Sequence, residues 1–274
     1  IKRSVDSCLN QSYKNIELII VDDGSTDETP EIVRSYKDKR IKYLRHEKNK
    51  DIPHALNTGF SKAIGEYLTW TSDDNYYIKN AIEKMVSFLK DKNCPFVYCD
   101  YYRFKDEDSS NLKAVRLPDV PALENHNDIG ACFLYSRKVK EAIGDYDTET
   151  TLGEDYDYWI RISKKFSMNH LAEPLYFYRE HAGSLSIVRF YEVRLVDILV
   201  RMKNEVLGID KGVSNLVDVI AKKYPGCYRI NRILAKILFS RKFNRILIDF
   251  KKGKLGFKET KLALKDIISD DRKG

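Results

Sequence analysis

Helix-like and strand-like segments alternate along the first hundred residues, and this alternation restricts the fold more than any other feature. The runs 16–21 and 66–71 are short, apolar and rich in β-branched or aromatic residues, as buried strands are. Segments with helical spacing separate the strand-like runs, at 2–11, 26–36, 55–64 and 80–89. Strands joined by helices form a mostly parallel sheet that the helices cover. The sequence therefore predicts an α/β fold.

Two pairs of aspartates follow strand-like runs. Asp22 and Asp23 come after 16–21, and Asp73 and Asp74 come after 66–71. Sheets of this type bind ligands beyond the carboxyl ends of their strands. A divalent cation would relieve the repulsion between adjacent carboxylates, since Mg²⁺ is commonly held by one or two carboxylates and substrate phosphates. Taken alone, the second pair fits a solvated turn equally well, and the first pair fits a turn with a helix cap better.

Two further groups of polar residues are candidates for chemistry. Glu154 and Asp155 stand in the first turn of a predicted helix at 154–164, where the helix dipole favours an ionised carboxylate that can act as a base. Arg179 and His181 follow the last predicted strand and could bind phosphate oxygens or a metal. A favourable helix start explains the first group as well, and a single histidine is more often structural.

Composition excludes several classes of protein. With 43% hydrophobic residues, 7 Pro and 13 Gly, the chain can form an ordered core. No apolar run reaches the roughly 18 residues that cross a bilayer. The five cysteines include no C-x-x-C pair, which argues against a zinc site or a disulfide framework and favours the reducing cytosol. We therefore expect a cytoplasmic protein.

Charge divides the chain into two parts. Residues 187–274 contain 21 Lys and Arg against 10 Asp and Glu, a net charge of +11, whereas residues 1–186 have a net charge of −4. We expect an acidic domain at 1–186 and a basic helical extension at 187–274. The amphipathic segment Arg229–Phe250 is suited to peripheral contact with the inner face of the cell membrane. Packing on the acidic domain or in a homodimer is the favoured alternative, and no nucleic-acid-binding motif is present.

Five motifs occur in an order that closely resembles the family 2 glycosyltransferases, which have the GT-A fold. The resemblance covers residues 1–186, and its motifs are ELIIVDDGSTDET, IPHALNTGFSKAIGEYLTWTSDDN, IGACFLYSRKVKEAIGDYD, GEDYDYWIRIS and EPLYFYREHAGSLS. It implies a Rossmann-like mixed sheet, mostly parallel and flanked by helices. It also implies inverting transfer of a sugar from a nucleoside diphosphate, commonly UDP, to a hydroxyl of a glycan or lipid-linked acceptor. Synthesis of cell-surface polysaccharide or glycolipid is the implied setting.

The resemblance assigns roles to the first two acidic pairs. An acid of the first pair contacts the nucleotide base in that family, and the position falls on Asp22, with Asp23 beside it. The metal-binding D-x-D motif falls on residues 71–73, so Asp73 is the implied ligand of Mn²⁺ or Mg²⁺ and also contacts the nucleotide. Asp74 is a secondary candidate.

The later motifs supply the implied base and the implied diphosphate contacts. Asp155 matches the general base, which would take the proton of the acceptor hydroxyl, and Glu154 is a secondary candidate. Arg179 and His181 match residues near the diphosphate, and His181 is an implied second metal ligand. The metal would neutralise charge on the leaving diphosphate.

Two departures from the family pattern support an alternative. Thr71 stands where the first aspartate of D-x-D usually occurs. Relatives begin with a strand ahead of the first helix, so the resemblance implies that the first strand is missing from this sequence. A catalytically inactive GT-A scaffold that binds nucleotide or glycan is therefore the alternative function.

Overall fold

A computed structural model of the chain describes residues 1–105, 112–223 and 245–270. They form two compact units. The first comprises Ile1–Tyr146 and Arg161–Ala182, and the second comprises Asp147–Ile160 and the chain from Gly183 onward. The expected division into 1–186 and 187–274 stays a prediction. Charge and motif patterns did not indicate that residues 147–160 belong with the helical extension.

In the first unit, helices and strands alternate as far as β3. Helix α6 begins in the second unit and ends in the first. In chain order the elements are α1 (Lys2–Leu9), β1 (Leu18–Asp22), α2 (Thr29–Ser35), β2 (Ile41–Arg45), α3 (Ile52–Lys62), β3 (Tyr67–Leu68), β4 (Tyr76–Tyr77), α4 (Ala81–Asp91), β5 (Phe96–Phe104), β6 (Lys113–Val115), β7 (Phe133–Ser136), α5 (Arg137–Ile143), α6 (Glu154–Ser163) and β8 (Asn169–Arg179).

The described strands form two sheets. Strands β1 and β2 pair in parallel, with Leu18 opposite Ile41. The larger sheet has the order β3-β7-β5-β8-β4, and β6 pairs with β5 at one end of that strand. Strands β5 and β8 are parallel, whereas the other pairs of this sheet are antiparallel.

The mixed α/β fold is thus confirmed, but the expectation of a mostly parallel sheet is wrong for the described strands. The reason lies in the chain after β5. It returns as β6 and β7 directly beside β5, and a strand that returns without a crossover runs antiparallel to its neighbour. Strand β4, which was not predicted, adds a further antiparallel pair with β8.

Aromatic residues fill the core of the larger sheet. Strand β5 is central, and its residues 96–99 are fully buried, as expected of a strand covered on both faces. The rings of Phe96 and Tyr135 stack at 5.9 Å across β5 and β7, and Tyr77 meets Tyr176 edge to face at 4.9 Å. Helix α4 covers the sheet with the helically spaced residues Met85, Val86 and Leu89.

The second unit contains the start of α6 and the predicted C-terminal helices. These are α7 (Leu185–Val188), α8 (Phe190–Lys203), α9 (Ile209–Lys223), a helical stretch at 245–251 and α10 (Phe257–Asp270). Most of the amphipathic segment Arg229–Phe250 lies outside the described residues. In the described part of the chain, every helix is too short or too polar to span a bilayer.

Helix α8 packs closely against the residue that precedes α6. A Cβ atom on Gly153 would lie 2.6 Å from Cγ1 of Val196 and 3.4 Å from Cγ2 of Val200. Both valines are fully buried. A glycine at 153 therefore permits this approach of helix and loop.

We expect Gly153→Ala to lower the free energy of unfolding by about 1–3 kcal/mol, the usual cost of overpacking a core. Gly208→Ala is a matched control, because both glycines accept the first backbone hydrogen bond of a helix and a Cβ on Gly208 meets nothing within 4 Å. Urea denaturation of both variants measures the difference. Equal losses of unfolding free energy in the two variants would show that Val196 can move to accommodate the added methyl group without cost.

Candidate functional site

Asp22 organises the loop after β1. Its carboxylate is fully buried and accepts hydrogen bonds from the Ser25 backbone N–H at 2.7 Å and the Tyr43 hydroxyl at 2.6 Å. Arg45 Nε lies 3.4 Å away. Burial alone would raise the pKa of Asp22, but these hydrogen bonds and the nearby guanidinium outweigh it, so the pKa lies below its ordinary value.

Asp23 joins the same loop to the segment after β2. Its carboxylate lies 2.6 Å from Nδ1 of His46 and accepts hydrogen bonds from the Lys50 backbone N–H at 3.0 Å. Gly24 makes the approach possible, since it has φ +81° and a Cβ there would lie 2.8 Å from the Asn49 nitrogen. Asp23 is 17% exposed at its side chain, whereas Asp22 is 0% exposed, so Asp23 is the more accessible acid.

The second acidic pair meets the end of β8. The buried Asn75 accepts a hydrogen bond from the Arg179 backbone N–H at 2.8 Å. Asp74 Oδ2 lies 3.1 Å from Nε2 of His181, which is 107 positions later in the sequence. The structure therefore brings together the acidic turn and the predicted Arg179–His181 pair.

Asp73 faces an open cleft. The cleft has a volume of about 530 Å³ and is lined by Ile1, Thr26, Asp27, Glu28, Thr29, Ile32 and Asp73. Within the described ranges the Asp73 carboxylate has neither a hydrogen-bond nor an ion-pair partner. The Asp73 side chain thus has unused oxygen ligands at the edge of a space that can hold a ligand.

Arg179 has an unused donor. Its Nε atom is buried and makes no hydrogen bond to any described residue. A buried N–H without an acceptor is costly, and an anionic oxygen would satisfy it. Arg179 is therefore suited to bind a phosphate oxygen.

Thr71, at the first position of the D-x-D motif, is engaged inside the protein. Its hydroxyl lies 2.6 Å from the hydroxyl of Tyr176, and it also donates to the Ser72 carbonyl at 3.2 Å. Tyr176 is buried, and this burial raises the pKa of its phenol. Thr71 thus forms a hydroxyl pair with a buried tyrosine.

Oxygen ligands are available for a divalent cation in this region. Asp73 and Asp74 provide carboxylates, the ligand type that Mg²⁺ and Mn²⁺ prefer. The part of the chain that the structure describes contains no group of three His, Cys, Asp or Glu side chains that could hold a metal by itself. The residues present therefore fit a cation that takes its remaining ligands from a bound phosphate and water.

Glu154 and Asp155 lie in the second unit, at the start of α6. Asp155 is partly exposed and accepts a hydrogen bond from the Tyr156 backbone N–H at 2.7 Å. Glu154 is buried and accepts one from Leu152 N–H at 2.8 Å. Burial, reinforced by the neighbouring Asp155 charge, raises the pKa of Glu154 to about 7. Two adjacent acids therefore differ in environment, and Asp155 is the more accessible.

Sequence patterns missed three polar side chains of α8 and its C-terminal end that interact with residues at the start of α6. Burial raises the pKa of Asp197 to about 6, with a contribution from the charge of Asp155 and opposition from Arg194. Lys203 and Asn204 contact Asp157, whose side chain is fully buried. No local motif links these residues, because they lie more than forty positions after Asp157 in the chain.

Comparisons with known proteins agree with the fold. The chain is similar to the Staphylococcus aureus protein TarS 1–349 in complex with UDP, with a TM-score of 0.59 and 16% identity over 98% of this chain and 88% of that one. It is also similar to the mannosyltransferase PcManGT from Pyrobaculum calidifontis in complex with GDP-Man and Mn²⁺, with a TM-score of 0.59 and 17% identity over 100% and 84% of the two chains. The fold is that of the GT-A glycosyltransferases.

Sequence relatives identify the family. The family model described as Glycosyl transferase family 2 matches residues 1–144. An uncharacterized glycosyltransferase of Rickettsia prowazekii, RP339, is 33% identical over 232 residues, which cover 78% of this chain and 72% of that protein. The Escherichia coli protein WfaP, a UDP-Glc:alpha-D-GlcNAc-diphosphoundecaprenol beta-1,3-glucosyltransferase, is 29% identical over 194 residues, or 69% and 76% of the two proteins. The chain belongs to glycosyl transferase family 2.

The raised pKa of Glu154 makes stability depend on pH. As the pH rises above 4.5, the unfolded chain releases this proton, whereas the folded protein keeps it up to a pH of about 7. Wild-type stability therefore falls across that interval. We expect Glu154→Gln, which keeps an oxygen acceptor for Leu152, to gain on the order of 3 kcal/mol relative to wild type between pH 4.5 and pH 8.

Urea denaturation at the two pH values measures this gain. Glu149→Gln removes an exposed negative charge from the same unit and should change stability by less than about 0.5 kcal/mol at either pH. If the difference between Glu154→Gln and wild type is the same at both pH values, the Glu154 pKa is not raised.

Proposed function

We propose that this glycosyltransferase moves a sugar, with inversion, from a UDP-linked donor to a hydroxyl of a glycan or lipid-linked acceptor, with the help of Mn²⁺ or Mg²⁺. The observation that carries the proposal is the unpartnered Asp73 carboxylate at the cleft, next to the Asp74–His181 pair in the chain. Family membership supports sugar transfer, and a relative whose name specifies UDP-Glc supports the donor nucleotide.

The nucleotide would lie against the loop after β1. Asp22 holds the loop from within, through Ser25 and Tyr43. We assign the contact with the nucleotide to Asp23, because its side chain is the more exposed of the two. Asp22 would support this contact by holding the loop in place. Thr26 and Glu28, which follow this loop in the chain, line the cleft together with Asp73.

The diphosphate would lie between Asp73 and the end of β8. Asp73 would hold the cation, with His181 as a second ligand and Asp74 orienting His181 through their 3.1 Å contact. The bound cation would supply Lewis-acid stabilisation of the diphosphate charge. Arg179 would donate its free Nε–H to a phosphate oxygen.

Asp155 is the proposed general base. The acceptor oxygen forms a bond to the anomeric carbon while the bond from that carbon to the diphosphate oxygen breaks, and the bonding electron pair leaves with UDP. The acceptor proton passes to the Asp155 carboxylate, which its partial exposure leaves accessible. Attack opposite to the leaving group inverts the anomeric centre, as in a single displacement at a sugar. Glu154 is unsuited to this role because it is buried and protonated up to a pH of about 7.

A saccharide carried on a lipid diphosphate is the acceptor class we propose. The name of the Escherichia coli relative specifies a GlcNAc-diphosphoundecaprenol acceptor. A lipid-linked acceptor is held in a membrane, and the net charge of +11 on residues 187–274 supports peripheral contact there. Synthesis of a cell-surface glycan is the role that follows.

An inactive scaffold is the second candidate, and the engagement of Thr71 with Tyr176 favours it. A first D-x-D position that is hydrogen-bonded to Tyr176 leaves Asp73 with less help in holding a cation. Nucleotide binding without transfer would support this candidate.

We expect wild-type protein to bind UDP at least about tenfold more tightly with Mn²⁺ than without it, and Asp73→Asn to lose this dependence, because the metal and its diphosphate share the Asp73 carboxylate. Calorimetric titration of UDP measures both. Glu28→Gln removes a negative charge from the same cleft and should keep the Mn²⁺ dependence. Unchanged metal dependence in Asp73→Asn would exclude Asp73 as the ligand.

We expect Asp155→Asn to lower the transfer rate by about 10²–10⁴-fold, the usual contribution of a positioned base, while UDP affinity stays unchanged. UDP release from UDP-glucose with a GlcNAc-diphospholipid acceptor measures the rate. Glu149→Gln serves as the control for loss of one negative charge. Transfer by Asp155→Asn at the wild-type rate would place the base elsewhere.

A further inference from the structure

The segment that carries the proposed base is anchored by C-terminal helices. Residues 147–160 form the base-bearing segment, and they belong to the same compact unit as α8 and α10. Gly153 packs on Val196 of α8, and the Thr151 carbonyl accepts a hydrogen bond from Lys261 of α10 at 3.1 Å. The helices therefore contact the loop immediately before Asp155.

A buried polar cluster adds a stronger anchor to the first turn of α6. Asp157 Oδ1 accepts hydrogen bonds from Lys203 Nζ at 2.8 Å and from Asn204 Nδ2 at 2.9 Å. Asn204 also donates to the Val200 carbonyl at 3.0 Å, so its amide is held in one orientation. Lys203 contacts Asp147 as well. The single ammonium group thus joins the start of the base-bearing segment to the start of α6.

The positions of Asp155 and Asp157 are mechanically linked. Residues two apart in an α-helix project about 200° from each other, so Asp157 can point inward while Asp155 remains accessible. Asp157 is 0% exposed at its side chain, and Asp155 is partly exposed. A shift or rotation of the first turn that releases Asp157 must therefore also displace Asp155.

We propose that Lys203 and Asn204 are positioning residues for sugar transfer, which they support by holding Asp157 and hence the placement of Asp155. The proposal rests on the proposed function, in which Asp155 is the base. Displacement of a reacting group by about 1 Å can lower a rate by about 10²-fold. We expect the contacts of Asp157 to orient the first turn of α6 rather than to stabilise the fold. An ion pair to a buried carboxylate adds little net stability compared with apolar residues of similar volume.

The test separates placement of the base from folding and from donor binding. Lys203→Met removes the ammonium but leaves the Asp157 charge buried, which by itself destabilises a protein. The double variant Lys203→Met/Asp157→Asn removes both charges and so avoids that penalty. Lys203→Arg keeps the positive charge, and Lys211→Met removes an exposed basic residue of α9 as a matched control.

We expect the double variant to have a kcat about 10- to 100-fold below wild type in UDP release from UDP-glucose with the GlcNAc-diphospholipid acceptor. Its KM for UDP-glucose and its affinity for UDP should stay within about twofold of wild type, because the nucleotide contacts are unchanged. Lys203→Arg should recover most of the rate, and Lys211→Met should behave as wild type.

Two results would overturn the proposal with the base assignment intact. One is a folded double variant whose kcat lies within about twofold of wild type. The other is a parallel loss of kcat, UDP affinity and melting temperature, which would indicate a general scaffold role. Failure of the proposed function gives different results: wild-type protein shows no transfer, or Asp155→Asn shows full transfer. In either case Asp155 is not the base that Lys203 and Asn204 would position.

Discussion

The position of β8 between β5 and β4 is the constraint on which the first unit depends. Strand β8 runs parallel to β5 and antiparallel to β4, and β4 begins immediately after Asn75. The end of β8 must therefore lie beside the acidic turn, and the contacts of Asn75 with Arg179 and of Asp74 with His181 follow from that pairing. An accessible ion pair is worth about 0–1 kcal/mol, so the sheet brings these groups together and their mutual attraction does not.

The helices and longer strands of the first unit could be predicted because each carries its own local sequence pattern. The helix predicted at 80–89 occurs as α4, along which buried residues repeat at the helical period. The aromatic-rich run at 95–104 favours a strand, and it occurs as β5. Strands β3 and β4 contain two residues each, too few to show a period, and only pairing with β7 and β8 defines them. The direction of a returning strand is likewise a property of pairing, which explains why the antiparallel majority was missed.

The same distinction between local sequence patterns and long-range contacts applies to the candidate site. Asp22, Asp73 and Asp155 stand in short motifs whose residue types are visible in the sequence. Distant residues help to fix two of them: Tyr43 contacts Asp22, and Lys203 contacts the turn that carries Asp155. From the sequence, a lysine at the end of a helix is expected to be exposed to solvent. Only the fold shows that the Lys203 side chain reaches a buried carboxylate.

The proposed metal dependence also has an electrostatic reason. Asp27, Glu28 and Asp73 line the cleft, and residues 1–186 have a net charge of −4. Two unit charges of the same sign at 4 Å repel by about 4 kcal/mol at an effective dielectric constant of 20, so a diphosphate would enter this cleft poorly by itself. The guanidinium of Arg179 has a single positive charge, which cannot offset the negative charge of three carboxylates. A divalent cation held by Asp73 would place two positive charges beside the diphosphate and so would weaken this repulsion.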